Sequence, residues 1–413
     1  MISYDEALRL IAQEAKSQSS HRVDRYASFG QVAAEDIHAM LDIPPFDNSA
    51  MDGFAVNSKL TVKATQNNPL VFGISNCLAA GDVIDTVSDG SAVEIMTGAK
   101  IPPGYDSVVP VEDVESIVTK SGQTVEIKIR KPVSPNENVR FSGEDFKVGS
   151  VIAKKGTMLN AGHIAAMAAT GIHEVRVFNM PDIEVFATGK EVSDAYHVPL
   201  NDGEIYNSNT PYLLAQLKSA GIPASYAGSI GDDPDAFTAT LNVLTRSKIV
   251  VSTGAVSKGK WDFIPELLEK HGARIIFHGV LIKPGKPVLF AVLKDGRYYF
   301  GLPGNPVATA VGLRFFVIPL IRKLLDMQKE TFHYAELRNP LEKKGKLRHF
   351  LKARLDSDDH GQTHLTILDG QESFKISPML EMNCWGIIDE TKNTLSINES
   401  VRIAAVDLFP AAY

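Results

Sequence analysis

Three regimes of apolar and polar patterning follow one another along the 413 residues. Near the start, Ala7, Leu10, Ile11 and Ala15 recur at helical spacing behind Ser3 and Glu6, the order of a capping box. A second helical piece is read over residues 30–39, and Pro44-Pro45 force extended chain after it. From about residue 61 to 140 the helical period disappears. Short Val- and Ile-rich runs at 92–96, 107–111, 116–119 and 125–130 alternate with Gly and Pro, and Lys120-Ser121-Gly122-Gln123 marks a hairpin tip. This predicts a small all-β insert. Beyond it come a strand at 151–153, an Ala-rich helix at 161–170 and a strand at 174–178, with Met180-Pro181 as a domain border.

Residues 182–325 alternate between the two periods. Strands are predicted at 183–187, 224–230, 248–253 and 274–279, and helices at 209–220, 234–244 and 262–271. Two runs flanking Lys294-Asp295-Gly296 form a hairpin, and Pro303-Gly304-Asn305-Pro306 opens a long helix to Leu325. Repeated β-α order implies a central, doubly wound, mostly parallel sheet, whose ligands sit at the carboxyl ends of the strands. The last 85 or so residues return to β character and predict a small barrel-like β domain. The fold class is therefore multi-domain α/β plus all-β. Its expected parts are an N-terminal elongated region (1–60 and 141–180), an inserted β domain (61–140), an α/β domain (181–328) and a C-terminal β domain (329–413).

Composition removes some functions. A formal net charge of −7 leaves no global basic surface, which argues against nucleic acid as the main partner. Cys77 and Cys384 are the only cysteines, which suits free thiols in a reducing compartment and builds no metal site. The most apolar stretch, 307–325, carries Arg314, Arg322 and Lys323, so no membrane span is expected. The first ten residues are acidic where a secretory peptide is basic, and a cytoplasmic protein is expected.

The loops after the strands share glycine, a small hydroxyl, and an acid or lysine. They are Thr188-Gly189-Lys190-Glu191, Ser252-Thr253-Gly254, Lys283-Pro284-Gly285-Lys286 and Pro303-Gly304-Asn305-Pro306, and they are expected to converge on one rim. Glycine lets backbone N–H groups approach a phosphate closely, and Lys258, Lys283 and Lys286 supply charge. Glu191, Asp232 and Asp262 are hard oxygen donors suited to Mg²⁺, which bridges phosphates with few carboxylates and several waters. Asp262 also reads as the N-cap of the helix that follows, worth about 1 kcal/mol, and Asp232 and Asp233 also read as solvated turn acids. Asp47 reads as part of an ordinary turn-rich loop. No P-loop, no Gly-x-Gly-x-x-Gly and no Gly-x-Ser-x-Gly is present, and His163, His278 and His349 lack metal-like spacing.

In order along the chain, Pro45-Phe46-Asp47-Asn48-Ser49-Ala50-Met51-Asp52-Gly53, Met96-Thr97-Gly98-Ala99, Arg140 with Gly143-Glu144-Asp145, and Thr188-Gly189-x-Glu191 resemble the molybdopterin molybdenumtransferase (MoeA-like) family, to which the C-terminal domain of gephyrin is similar. The likeness continues through Ser208-Asn209, Ser257-x-Gly259-x-x-Asp262, Pro284-Gly285-Lys286-Pro287 and Leu302-Pro303-Gly304-Asn305-Pro306. It implies a reaction in molybdenum cofactor biosynthesis. Adenylylated molybdopterin binds, its pyrophosphate link is hydrolysed with a divalent cation, AMP leaves, and molybdate enters the dithiolene. It also implies an elongated homodimer with the active cleft shared between subunits, and other cofactor-biosynthesis proteins as partners. On the family pattern Asp52, Thr97, Asp145, Glu191 and Asp262 hold catalytic positions. Asp232 joins Glu191 and Asp262 at the metal. Ser252, Thr253, Gly254, Ser257, Lys258, Lys283, Lys286, Pro303, Asn305 and Pro306 line the substrate.

Three positions depart from the pattern. Ala255 replaces a glycine, and Lys190 and Lys260 replace acids, which raises positive potential near the cleft. Those exchanges motivate a second reading, a non-catalytic scaffold that binds the pterin or a partner. A third is a phosphotransferase or nucleotide hydrolase.

Overall fold

The computed structural model describes residues 1–86, 88–254 and 263–409. Its centre is a six-stranded sheet of β1 (Ile183–Thr188), β2 (Ala224–Ile230), β3 (Ile249–Thr253), β4 (Arg274–His278), β5 (Leu289–Val292) and β6 (Tyr298–Leu302), in the order β2-β1-β3-β6-β5-β4. The first three strands and β6 are parallel, and β5 is antiparallel to both its neighbours, so β4 runs the same way as β6. Alternate residues face two separate cores. Val185, Val251 and Phe300 pack with helix residues such as Leu213, Leu217 and Phe316 on one side. Phe186, Val250 and Tyr299 pack with Phe237, Leu241, Ile264 and Leu268 on the other. Both faces are covered, which is why β3 reads as an unbroken apolar run.

The helices packed around this sheet include α1 (Tyr4–Glu14), α2 (Asn209–Ser219), α3 (Pro234–Val243), α4 (Ile264–Lys270) and α5 (Pro306–Gly312); two more, Ser58–Thr61 and the expected Ala161–Ala169, lie outside it. Helix α5 continues through a wide turn at Leu313–Val317 into α6 (Ile318–Leu324), the long helix expected from sequence. The Ser3 hydroxyl caps α1 by accepting from the Glu6 N–H, but the Glu6 carboxylate pairs with Arg9 and does not complete the box. Helix α4 opens at Ile264 behind Phe263, whose side chain makes no cap bond, and Asp262, expected as its cap, lies outside the described residues.

Two expectations about the N-terminal region are corrected. Helix α1 belongs to the α/β domain and not to the elongated region: Tyr4, Ala7 and Ile11 share a core with Phe315 and Phe316. Residues 30–39 are not helical. Val32 and Ala33 pair with Met158 and Val177, and Ile37–His38 is a strand, so partners distant in sequence override local propensity. The outgoing chain (20–49) and the returning chain (139–178) form an antiparallel ladder of three short pairs. Its near end leads into the amino end of β1, and its far end carries the insert.

The insert is a six-stranded sheet in the order Ser107–Pro110, Gly53–Val56, Ala92–Ile95, Leu70–Leu78, Thr124–Ile129 and Glu115–Val118. It begins at Gly53, earlier than the expected 61. The nine-residue strand Leu70–Leu78 has no counterpart among the predicted runs. The C-terminal domain is a closed barrel in which β7 (Arg348–Ser357) pairs with both Thr363–Ile367 and Cys384–Ile388, and His333–Leu337 and Ser400–Ala405 complete the ring. Ile282–Lys283 pairs with Arg348 and His349, joining barrel to α/β domain.

Gly53 permits the closest backbone approach in the insert: a Cβ there would lie 2.1 Å from the Val109 carbonyl oxygen. Gly53→Ala is therefore expected to destabilise this sheet by about 1–3 kcal/mol, read as faster amide hydrogen exchange along Ala92–Ile95. Unchanged exchange would show that the contact relaxes freely.

Candidate active site

Four parallel strand ends stand level on one edge of the central sheet. Thr188 pairs with Ile230, Ala187 with Thr253, and Thr253 with Leu302. The loops leaving them lock together through backbone. The Gly254 N–H donates to the Leu302 carbonyl at 3.0 Å, the Thr188 hydroxyl to the Thr253 carbonyl at 3.0 Å, and the Gly189 N–H to the Ile230 carbonyl at 3.2 Å. A Cβ on Gly254 would lie 2.3 Å from the Thr188 carbonyl oxygen, and one on Gly304 would lie 3.5 Å from the Gly254 Cα. Gly254 also has φ +96°, a conformation that favours glycine. The Thr309 hydroxyl donates to the Pro303 carbonyl at 2.6 Å and fixes the Pro303–Pro306 turn from below. The 283–287 loop leaves β4 on the same edge, about 10 Å across the sheet from β6 at two strand spacings. Gly285 packs toward Ala308 and Val311 of the long helix, while Lys283 and Lys286 are exposed.

Of the predicted rim residues, Thr188, Gly189, Glu191, Thr253, Gly254, Pro303, Asn305 and Pro306 are thus brought together. Ser252 is corrected to a structural role, because its hydroxyl is fully buried and bonded to the Tyr299 hydroxyl at 2.5 Å. Ser257, Lys258 and Asp262, with Ala255 and Lys260, lie outside the described residues. Asp233 caps α3 by accepting from the Asp235 N–H at 2.9 Å, and that separates it from its neighbour. Neither the Asp232 nor the Glu191 carboxylate has a hydrogen bond or ion pair to a described residue, and both stand on the loops of adjacent strands. The Glu191 carboxylate folds back over Gly189, where a Cβ would lie 2.8 and 2.9 Å from its oxygens.

Among the described residues no group of three His, Cys, Asp or Glu side chains is placed to hold a metal. The two uncommitted carboxylates fit Mg²⁺, which needs only one or two beside phosphate oxygens and water. A further acceptor lies against the Pro303–Pro306 turn. The Asn209 amide donates to the Gly304 carbonyl at 2.6 Å, leaving its Oδ1 buried with no partner among the described residues. A buried acceptor without a donor is costly, so this atom is one that a ligand N–H or O–H would satisfy.

Sequence reasoning assigned no role to three features of this edge. Asp194 accepts from Tyr226 at 2.5 Å and from Asn207 at 2.9 Å, tying down the long loop between Glu191 and α2. Burial, followed by that carboxylate, pushes the Tyr226 pKa up. Asn209 appeared only within a motif. Ser373, from the barrel, accepts from the Asn305 amide at 2.9 Å; contact across so long a separation leaves no local signal.

Asp52, Thr97 and Asp145 gather elsewhere, at the far end of the ladder. Asp52 accepts from the Thr97 N–H at 2.7 Å and its hydroxyl at 2.8 Å. The Asp145 N–H donates to the Ile43 carbonyl, and Asp47 accepts from the Ser142 N–H, so Asp47 is an ordinary turn brace as expected. Among the described residues no backbone hydrogen bond joins this cluster to the α/β domain.

The fold and rim define a class: a molybdopterin-binding type α/β domain carried with an N-terminal ladder and insert. Residues 2–171 match the family model described as the MoeA N-terminal region (domain I and II), and residues 184–323 match a probable molybdopterin binding domain. A molybdopterin molybdenumtransferase of Staphylococcus aureus is 38% identical over 78% of this chain and 76% of its own length. One from Synechococcus elongatus is 30% identical over 98% and 100%. The crystal structure of a molybdopterin biosynthesis MoeA protein from Pyrococcus horikoshii superposes with a TM-score of 0.83 at 27% identity, over 98% of this chain and 100% of the other. The chain belongs to the molybdopterin molybdenumtransferase family.

The two Thr97 bonds hold the Asp52 pKa below its ordinary 3.8. The sign follows: the Asp52–Thr97 contact is complete above that value and is lost only as pH falls through the lowered one. The Asp52 carboxyl, followed by NMR, is expected to titrate below the usual aspartate range, and Thr97→Val to raise its midpoint. A midpoint unmoved by Thr97→Val would dissociate the shift from this contact.

Proposed function

We propose that this chain inserts molybdate into adenylylated molybdopterin, with hydrolysis of the pyrophosphate link and release of AMP. The observation that carries the reading is the convergence of the 188–191, 253–254 and 303–306 loops around two uncommitted carboxylates and one orphaned amide oxygen. Backbone N–H groups of glycine-bearing loops receive the phosphates, and Lys283 and Lys286 add charge from the neighbouring loop. Glu191 and Asp232, with Asp262, would hold Mg²⁺, which when bound neutralises charge developing on the phosphates. The Asn209 oxygen orients the ligand by accepting a hydrogen bond from it. The exposed rim admits the water that adds across the pyrophosphate link and lets AMP leave to solvent.

The functional unit in this reading is a homodimer in the cytoplasm. A second copy brings its Asp52, Thr97 and Asp145 to the rim, since one chain holds the two clusters at separate ends of the ladder. Met40, Leu41, Phe46, Met51 and Phe141 are exposed around the far cluster, an apolar surface suited to a partner.

Glu191→Gln combined with Asp232→Asn is expected to fold normally, by circular dichroism, and to lower AMP release at least about a hundredfold. Wild-type turnover by that variant would take both carboxylates out of the chemistry. A non-catalytic scaffold is separated by complementation: the unmodified protein should restore molybdoenzyme activity in cells lacking a molybdenumtransferase, which a pure binder does not.

Mixing inactive Asp52→Asn protein with inactive Glu191→Gln protein under subunit exchange should regenerate activity that neither has alone. Persistent inactivity in verified mixed dimers would assign both clusters to one chain.

A further inference from the structure

Lys352 lies in β7 with no solvent exposure. Its Nζ donates to three carbonyl oxygens of one short loop: Gly370 at 2.6 Å, Lys375 at 3.0 Å and Glu372 at 3.3 Å. The same loop grips the lysine backbone. The Lys352 N–H donates to the Gln371 side-chain oxygen at 3.0 Å, and the Gln371 amide donates to the Lys352 and Leu368 carbonyls at 2.8 and 2.7 Å. A buried ammonium has three protons and tolerates none left unpaired. The three carbonyls satisfy it only in this one loop conformation, so the lysine selects that conformation.

The loop so fixed reaches the rim. The Ser373 carbonyl accepts from the Val307 N–H at 3.0 Å, and its hydroxyl accepts from the Asn305 amide at 2.9 Å. Asn305 in turn neighbours Gly304, whose carbonyl takes the Asn209 amide. We propose that Lys352 is a positioning residue for the active site: through the 370–375 loop it sets the place of Asn305 and the Pro303–Pro306 turn, and with it the affinity for the pterin substrate. The inference rests on the reading that this rim binds adenylylated molybdopterin. It gives the barrel a part in the site through a side chain that never touches substrate.

The test uses full-length Lys352→Met, Lys352→Arg and Ser373→Ala. Amide hydrogen exchange is measured without substrate, and AMP release from adenylylated molybdopterin is measured at saturating molybdate. Lys352→Met should speed exchange at Val307 and the 370–375 loop about tenfold or more. It should raise KM about tenfold while kcat stays within about threefold, the pattern of lost binding without lost chemistry. Lys352→Arg, whose guanidinium also donates to several carbonyls, should return both readouts toward wild type. Ser373→Ala should raise KM by a smaller factor with the loop still protected. A Lys352→Met protein with wild-type exchange at Val307, or with faster exchange and unchanged KM, overturns the proposal. If Lys352→Met loses protection across the whole barrel, the decision passes to Ser373→Ala, and a wild-type KM there overturns it. An unmodified protein that releases no AMP overturns the functional reading itself, while faster Val307 exchange in Lys352→Met would still support the latch.

Discussion

Backbone touching backbone at the carboxyl ends of β1, β3 and β6 is the constraint on which the rim depends. Gly254 fits under the Thr188 carbonyl, donates to the Leu302 carbonyl and lies against Gly304. Any side chain at Gly254 would have to displace main chain, and main chain in a fully buried sheet has nowhere to go. The contact exists because the strand ends are level, Ala187 beside Thr253 and Thr253 beside Leu302, and a register shift between β1 and β2 brings Ile230 beside Thr188. Glu191, Asp232 and Asn209 then inherit their positions from it. Their carboxylate and amide oxygens stay uncommitted among the described residues, because main chain and the Thr188 and Thr309 hydroxyls hold the loops.

Buried charge gives the same region a second kind of order. Arg314 pairs with Glu330 and donates to the Ala405 carbonyl at 3.0 Å. Arg348 pairs with Asp5 and Glu390 and lies over the Tyr4 ring at 4.9 Å. Lys343 donates to three carbonyls as Lys352 does. Arg348 ties α1 to the barrel, and Arg314 ties the long helix to Glu330 and to the barrel strand at Ala405. Such groups are weak evidence for stability and better evidence for a unique arrangement, because removing one partner strands a charge. The α/β domain and barrel therefore meet through specific partners. The ladder and insert, by contrast, present exposed apolar side chains.

What was legible in the sequence follows from the range of the forces involved. The alternation of strand and helix from Ile183 to Leu324 is written in local period, so the central sheet and its loop edge were read from residues alone. Helix α1 was read correctly but given to the wrong domain, because its period says that it buries a face and not against what. Residues 30–39 failed for the opposite reason: their backbone bonds go to Thr157 and Arg176, and no local pattern announces those partners. Asn209 and Ser373 were invisible as site residues because each acts through one contact made by the fold. Ser252 was misplaced because both faces of β3 are covered up to its end, so the hydroxyl is buried against Tyr299 before the chain reaches the loop.

Exposure decides what the acids can do. Asp52, Asp145 and Glu191 all face solvent. In bulk water, two unit charges 4 Å apart interact by only about 1 kcal/mol, and several times that once water is excluded. An acid that is to hold a cation, or to shape charge at a phosphate, gains most of its effect from being covered. Within one chain nothing among the described residues covers either cluster, and each has what the other lacks. The rim has free carboxylates but an open face; the far cluster has a hydrogen-bonded aspartate set in exposed apolar surface. A surface that brings the second against the first would desolvate both at once. In the proposed dimer the separation of the clusters along the ladder has a physical consequence: the acids held apart do not repel one another in the single chain, and they would gain strength only once the second copy covers them.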